Sequence, residues 1–163
     1  MNHSDLVQTF LKVHKIDVDG CSYQILEDQT VELKTSFVID SKVKLFPFQF
    51  HSTKNCNLFQ SNLKSLRGAP YEVHGYFSCA RSKNLTSLKY FPKYIEDNVF
   101  VDLGLTVPLL EYKYLLFSEI QGGIFTGNSE LDLFFVRYQN KKSLISEALL
   151  ELREIQKRFD LGI

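Results

Sequence analysis

The sequence has no surplus of either charge: 19 Lys and Arg stand against 19 Asp and Glu. Nucleic-acid-binding domains usually carry a basic excess, so the balance argues against that class as the main activity. Cysteine is sparse. Cys21, Cys56 and Cys79 are odd in number and far apart, which excludes a disulfide-stapled scaffold and suits a reducing cytosol, where Cys acts as a small buried hydrophobe. No apolar run approaches the length of a membrane span. The first ten residues carry Asp5 and lack both a basic start and an apolar stretch, so no signal peptide is expected. The Asn84-Leu85-Thr86 sequon then has no compartment in which to matter. Tryptophan is absent as well, but 14 Phe and 8 Tyr make the chain rich in the other aromatics.

What the chain does have is a repeated apolar comb. Leu63, Leu66, Pro70, Val73, Phe77 and Cys79 recur 22 residues later as Leu85, Leu88, Pro92, Ile95, Val99 and Val101. A fixed apolar spacing of this length marks a stacked repeat architecture. Gly68 and Pro70 bend the chain after the Leu-x-x-Leu pair. Val73, Phe77 and Cys79, at even spacing, point to one side of a predicted strand. The other side would show His74, Tyr76 and Ser78 in one copy and Glu96, Asn98 and Phe100 in the next. Residues 43–50 read as a degenerate earlier copy, with Pro47 in place of Pro70, Phe50 in place of Val73 and Cys56 in place of Cys79. Residues 119–125 read as a last, altered one, its Gly122-Gly123 a tight strand connection.

The flanks read as closures. Ser4 is the expected N-cap of a helix from Asp5 to about Val13, burying Leu6, Phe10 and Val13. Residues 23–39 form a predicted hairpin around Glu27-Asp28-Gln29. Leu103, Leu105 and Val107 alternate toward Pro108, and residues 131–138 suggest one more strand or an apolar stretch over the end of the stack. From Ser143, Leu144, Ile145, Ala148, Leu149, Leu152, Ile155 and Phe159 trace one helical face, with Glu154 and Arg158 placed as an i,i+4 pair and Gly162 as the stop. The expected fold is therefore α+β and a single domain. An N-terminal cap helix (residues 1–14) precedes a hairpin and repeat stack (16–126), and a strand and long C-terminal cap helix (127–163) follow.

The pattern Leu-x-Ser-Leu-x-Gly-Ala-Pro-x-x-Val-x-Gly-x-Phe-x-Cys, as it stands from Leu63 to Cys79, resembles the repeat of short leucine-rich-repeat-like proteins of tailed bacteriophages, T-even-type genomes included. Their repeats are typically introduced by a hairpin like residues 23–39 and a segment like Val43-Lys44-Leu45-Phe46-Pro47-Phe48-Gln49-Phe50. The resemblance covers roughly residues 16–126, with only two sharp copies. Tyr90-Phe91 replaces Gly-Ala, Asp97 replaces the glycine and Val101 the cysteine, as in a repeat specialised for one partner. The resemblance implies a leucine-rich-repeat-like β-stack and a phage accessory protein working in the host cytoplasm, and it implies no catalytic residues.

Spacing supports no chemistry of its own. His3, His14, His51 and His74 fall in no metal-ligand pattern. Cys79 occupies an inward repeat position, Gly122, Gly123 and Gly127 lack the Lys-Ser/Thr of a phosphate loop, and the carboxylates are scattered. The sequence thus predicts no enzyme, no metal and no cofactor. It predicts a module that captures a host bacterial protein (transcription machinery such as RNA polymerase, a nuclease or a defence protein) and modulates or inhibits it. The expected contacts are Tyr76, Ser78, Arg81, Asn98 and Phe100, since aromatics and arginine anchor interfaces. Two alternatives stand beside it. One is nucleic-acid or transcription-complex binding through a basic middle (Lys42, Lys44, Lys54, Lys64, Arg67, Arg81, Lys83, Lys89, Lys93) interleaved with Tyr71, Tyr76, Tyr90 and Tyr94. The other is a minor virion component.

Overall fold

The computed structural model describes residues 1–16, 22–104 and 106–163. Cys21 and Leu105, and the start of the stack at residues 17–21, lie outside them. The fold is α+β, a β-solenoid of about four turns closed by helices. After helix α1 (His3–Val13), strand β1 (Tyr23–Ile25) pairs antiparallel with β2 (Val31–Leu33), so the hairpin expected over residues 23–39 spans only 23–33, with Gln29 at a left-handed turn position and residues 37–38 passing to another sheet. Each rung then contributes two short strands. The pairs are β2 with β3 (Phe37–Val38), β4 (Phe50–Thr53) with β5 (Cys56–Asn57), and β6 (Glu72–Val73) with β7 (Phe77–Ser78). Above them lie β8 (Tyr94–Ile95) with β9 (Val99–Phe100), and β10 (Glu119–Ile120) with β11 (Ile124–Phe125). Even-numbered strands stack in parallel as one sheet, with β1 at its edge, and β3, β5, β7, β9 and β11 stack as a second.

The comb is the core. Leu63, Leu66, Val73, Phe77 and Cys79, and Leu85, Leu88, Ile95, Val99 and Val101 in the next turn, are all fully buried. The single predicted strand carrying Val73, Phe77 and Cys79 is corrected, however. The chain turns a corner at residues 74–76, so Val73 belongs to the first sheet and Phe77 to the second. Gly75 allows this corner, because a Cβ there would stand 2.1 Å from Asn55 Oδ1. Asn55 Oδ1 accepts from the Tyr76 N–H at 3.0 Å, and two turns on Asn98 Oδ1 accepts from the Gly123 N–H at 2.8 Å. Asn98→Ala leaves the Gly123 donor without that partner and is expected to cost about 1–2 kcal/mol. A urea midpoint would read the loss, and Asn98→Asp, which keeps an acceptor, should recover part of it.

The early turns are shorter than the sequence pattern predicts. Phe37 pairs with Cys56, Cys56 with Phe77, Phe77 with Val99 and Val99 with Ile124, spacings of 19, 21, 22 and 25 residues. Cys56 therefore occupies the level of Phe77, not of Cys79, and Leu58 lies at the Cys79 level, its N–H bonded to the Ser78 carbonyl. Phe50 likewise pairs with Val31, and Thr53 takes the place opposite Val73. Packing explains the shift: Phe46, Phe48 and Phe50 fill the first turn, Phe48 and Phe46 lying 4.9 and 5.6 Å from the Phe50 ring centre.

At the N-terminal end α1 buries Val7, Phe10 and Leu11, with Phe10 edge-on to Phe48 at 5.3 Å. Its cap is Asn2, whose side chain accepts from the Asp5 N–H, in place of the expected Ser4, and Val13 faces solvent. Beyond β9, residues 109–112 form a 3-10 turn leading into α2 (Lys113–Leu116). Residues 131–138 are helix rather than strand, within α3 (Ser129–Tyr138). Asn128 caps that helix through Glu130 and Leu131 N–H groups, and Leu131, Phe134, Phe135 and Tyr138 follow helical spacing onto the end of the stack. Gln139 and Asn140 donate side-chain N–H groups to the Ile120 carbonyl, closing the exposed edge of β10.

The predicted C-terminal helix is present as α4 (Ile145–Asp160), entered through a 3-10 turn at residues 142–144. Ala148, Leu152 and Ile155 are buried, and Phe159 at the end of the predicted stripe is exposed. Arg158 bonds Glu130 of α3 instead of Glu154, which pairs with Lys157. The Tyr138 hydroxyl donates to Glu151 and Glu147; the bond to Glu151, with burial and Glu147 adding, pushes it up to about 12.

Candidate functional site

Strand alternation decides what the second sheet shows to solvent. Inward go Phe37, Cys56, Phe77, Val99 and Ile124. Outward, in register, go Val38, Asn57, Ser78, Phe100 and Phe125. Phe100 and Phe125 are adjacent rungs, and their rings stack 5.3 Å apart at 15°. Tyr76, just before β7, meets Phe100 edge-on at 6.3 Å. Past the strand ends stands Phe59, with the Arg81 guanidinium 5.7 Å from its ring centre. Phe59, Phe100 and Phe125 are 44%, 38% and 48% exposed, so three large rings share one surface.

Between Phe59 and the Phe100–Phe125 stack lies an open cleft of about 410 Å³, floored by Ser78 and Ala80 and bordered by Arg81, Asp102 and Gly127. A larger, more polar cleft of about 720 Å³ adjoins it through Arg81 and Asp102 and adds Lys83, Gln60, Asn62 and Thr106. The rim thus carries Arg81 and Lys83 against Asp102. Such a surface can take an apolar side chain into its aromatic floor and a carboxylate at Arg81.

Four of the five residues expected from sequence converge here: Tyr76, Ser78, Arg81 and Phe100. Ser78 is only 6% exposed and serves as floor. Asn98 lies beside Tyr76, but its amide oxygen is engaged by Gly123. Sequence reasoning missed Phe59 and Phe125. Phe125 stands opposite Phe100 across a 25-residue turn, whereas the echo of residues 72–77 in 119–125 aligns it with the inward Phe77. Phe59 lies past a strand end in the shortest turns, where the 22-residue ruler misaligns.

The remaining candidates separate in space. Cys56 and Cys79 are fully buried, and burial pushes both thiols upward, with Cys79 adding to the effect on Cys56. His74 is exposed on the first-sheet side, 3.6 Å from both Glu72 and Glu96, and so cannot serve Cys79 as a base. Among the described residues no group of three or more His, Cys, Asp or Glu side chains could hold a metal ion, and no helix there is long and apolar enough to cross a membrane. The basic middle divides between faces, with Arg81 and Lys83 at these clefts and Arg67 and Lys93 elsewhere. Tyr76 lies on the second sheet and Tyr94 on the first, while Tyr71 and Tyr90 occupy the loops leading into the first sheet. No protein-family model, no curated protein and no solved structure matches this chain.

Proposed function

We propose that this chain is a protein-binding module whose second-sheet face captures a partner and alters its activity. The observation that carries the reading is the Phe59, Phe100 and Phe125 surface with Arg81 at its rim. Exposed rings of this size, grouped around a cleft and flanked by arginine, have the make-up of an interface hot spot. The partner chemistry that fits is a folded protein with a protruding apolar side chain and a neighbouring carboxylate. The leucine-rich-repeat-like pattern of the phage family supports a host bacterial protein as that partner, met in the host cytoplasm, with inhibition as the outcome.

The test is affinity capture from nuclease-treated bacterial lysate with the intact chain and with a Tyr76→Ala/Phe100→Ala double variant. A single stoichiometric protein retained by the first and lost from the second, at unchanged melting temperature, is the expected result. Equal capture by both would move the interface off this face. Recovery that disappears with nuclease would remove the protein-binding reading.

A further inference from the structure

A second surface runs along the solenoid where the loop closing each turn enters the first sheet. Two clefts lie end to end there. One of about 690 Å³ is lined by Leu45, Phe46, Arg67 and Tyr90, and one of about 430 Å³ by Tyr90, Lys93, Tyr114, Phe117 and Lys142. Tyr90 belongs to both, so the pair forms one groove crossing successive turns. Tyr90 and Phe117 line it and are 50% and 57% exposed, and Tyr71, 38% exposed, stands beside it under Lys93.

Charge along this groove is one-sided in a chain that is neutral as a whole. Arg67, Lys93 and Lys142 line it, and Lys89 and Lys113 stand beside it; Glu119 is the one acid lining the two clefts. None of these five cations has an ion-pair partner among the described residues. Three of them lie over rings: Lys89 over Tyr90 at 5.2 Å, Lys93 over Tyr71 at 5.3 Å and Lys113 over Tyr114 at 5.3 Å. The Lys93–Tyr71 contact joins two turns and places cation and ring in alternation along the groove.

Tyr90 also carries a backbone anomaly. It adopts φ 69°, at the place in its turn that Gly68 holds with φ 88° in the turn before. A bulky side chain is disfavoured in that left-handed region, where glycine is not. The ring is half exposed and fills no core space, so the fold alone would favour glycine at this position. Lys15, Gln29, Gln60, Arg81 and Asn140 also have positive φ, and Tyr90 is the aromatic side chain in that set; such strain clusters at ligand-contacting residues.

We propose that this groove binds a short single strand of nucleic acid, with bases stacked on Tyr90, Tyr71 and Phe117 and phosphates at Arg67, Lys93 and Lys142. Alternating rings and uncompensated cations on stacked rungs match a flexible strand, whose bases offer ring faces and whose backbone offers charge at each step. A duplex keeps its bases stacked inside and has no use for the rings. An acidic peptide would satisfy the lysines but leave the strained Tyr90 unexplained. The groove is separate from the Phe100 face, so this inference and the protein-binding reading stand or fall independently.

Fluorescence anisotropy with a labelled thymidylate dodecamer at low salt tests the proposal, with three comparison probes. These are a duplex of the same length, an abasic deoxyribose-phosphate oligomer and poly-glutamate as competitor. The intact chain should bind the single strand more tightly than duplex or abasic oligomer. Tyr90→Gly, which suits the local backbone, should weaken binding about tenfold or more with the melting temperature nearly unchanged. Lys93→Ala should weaken it and reduce the log–log salt slope by about 0.7. Tyr76→Ala/Phe100→Ala should bind the strand normally. Absence of binding at low salt, equal affinity for the abasic oligomer, or no effect of Tyr90→Gly would overturn the proposal, and full competition by poly-glutamate would assign the groove to an acidic protein.

Discussion

Gly68→Ala is expected to lower the melting temperature by about 10 °C, from a loss of about 3 kcal/mol. Two causes add. The backbone at Gly68 has φ 88°, where an L side chain costs about 1 kcal/mol or more. A Cβ there would also stand 2.5 Å from the Phe48 carbonyl oxygen and 2.6 Å from the Phe46 Cβ, beside the packed Phe46, Phe48 and Phe50 rings. The carbonyl belongs to the rung below and cannot retreat without moving Phe50, whose N–H is bonded to the Gly68 carbonyl. At the equivalent place one turn on, Tyr90→Gly should change stability by less than about 1 kcal/mol, since relief of the left-handed strain offsets the greater freedom of glycine in the unfolded chain. Thermal unfolding of the two variants side by side checks the argument. Similar losses in both would mean that backbone handedness is not what separates the two positions.

Phe77→Ala should be comparably severe, at about 3–5 kcal/mol. Phe77 is fully buried at the middle of the stack, its ring 5.0 Å from Phe91, with Cys56 and Val99 directly below and above in the same sheet. The hole cannot close by collapse, because the parallel ladders on both sides hold the rungs at fixed spacing. A solenoid also couples each turn mainly to its neighbours, so a defect in the central turn weakens the link between the two ends. The expected signature is a lower urea midpoint together with a shallower transition. A midpoint within about 1 kcal/mol of the parent would show that the interior relaxes far more than a close-packed core does.

Much of the candidate face was readable in advance because it repeats. Tyr76, Ser78, Arg81 and Phe100 could be placed together once the 22-residue comb was seen, but the same reading puts His74 and Glu96 on that face, and the corner at residues 74–76 leaves both on the first-sheet side. The limits of that reading are instructive. Asn98 looked equally outward, but only the corner geometry shows its oxygen engaged by Gly123. Residues 131–138 alternate well enough to resemble a strand, while Leu131, Phe134, Phe135 and Tyr138 also fit a helix. A short apolar segment serves both periods, and the Asn128 cap and the open end of the stack settle which one forms.

The sequence by itself determined the inward set of the two clear repeats, the existence of a stack and its closing helices, because burial at a fixed spacing is a local pattern that survives substitution of one apolar residue for another. Only the tertiary structure decided where each turn bends and which outward residues meet. Turns of 19 to 25 residues bring Phe59, Phe100 and Phe125 to one face and set Tyr90 over the place of Gly68 one rung below. Those meetings depend on the register between rungs, which packing and the corner hydrogen bonds set together, and no spacing along the chain encodes it alone.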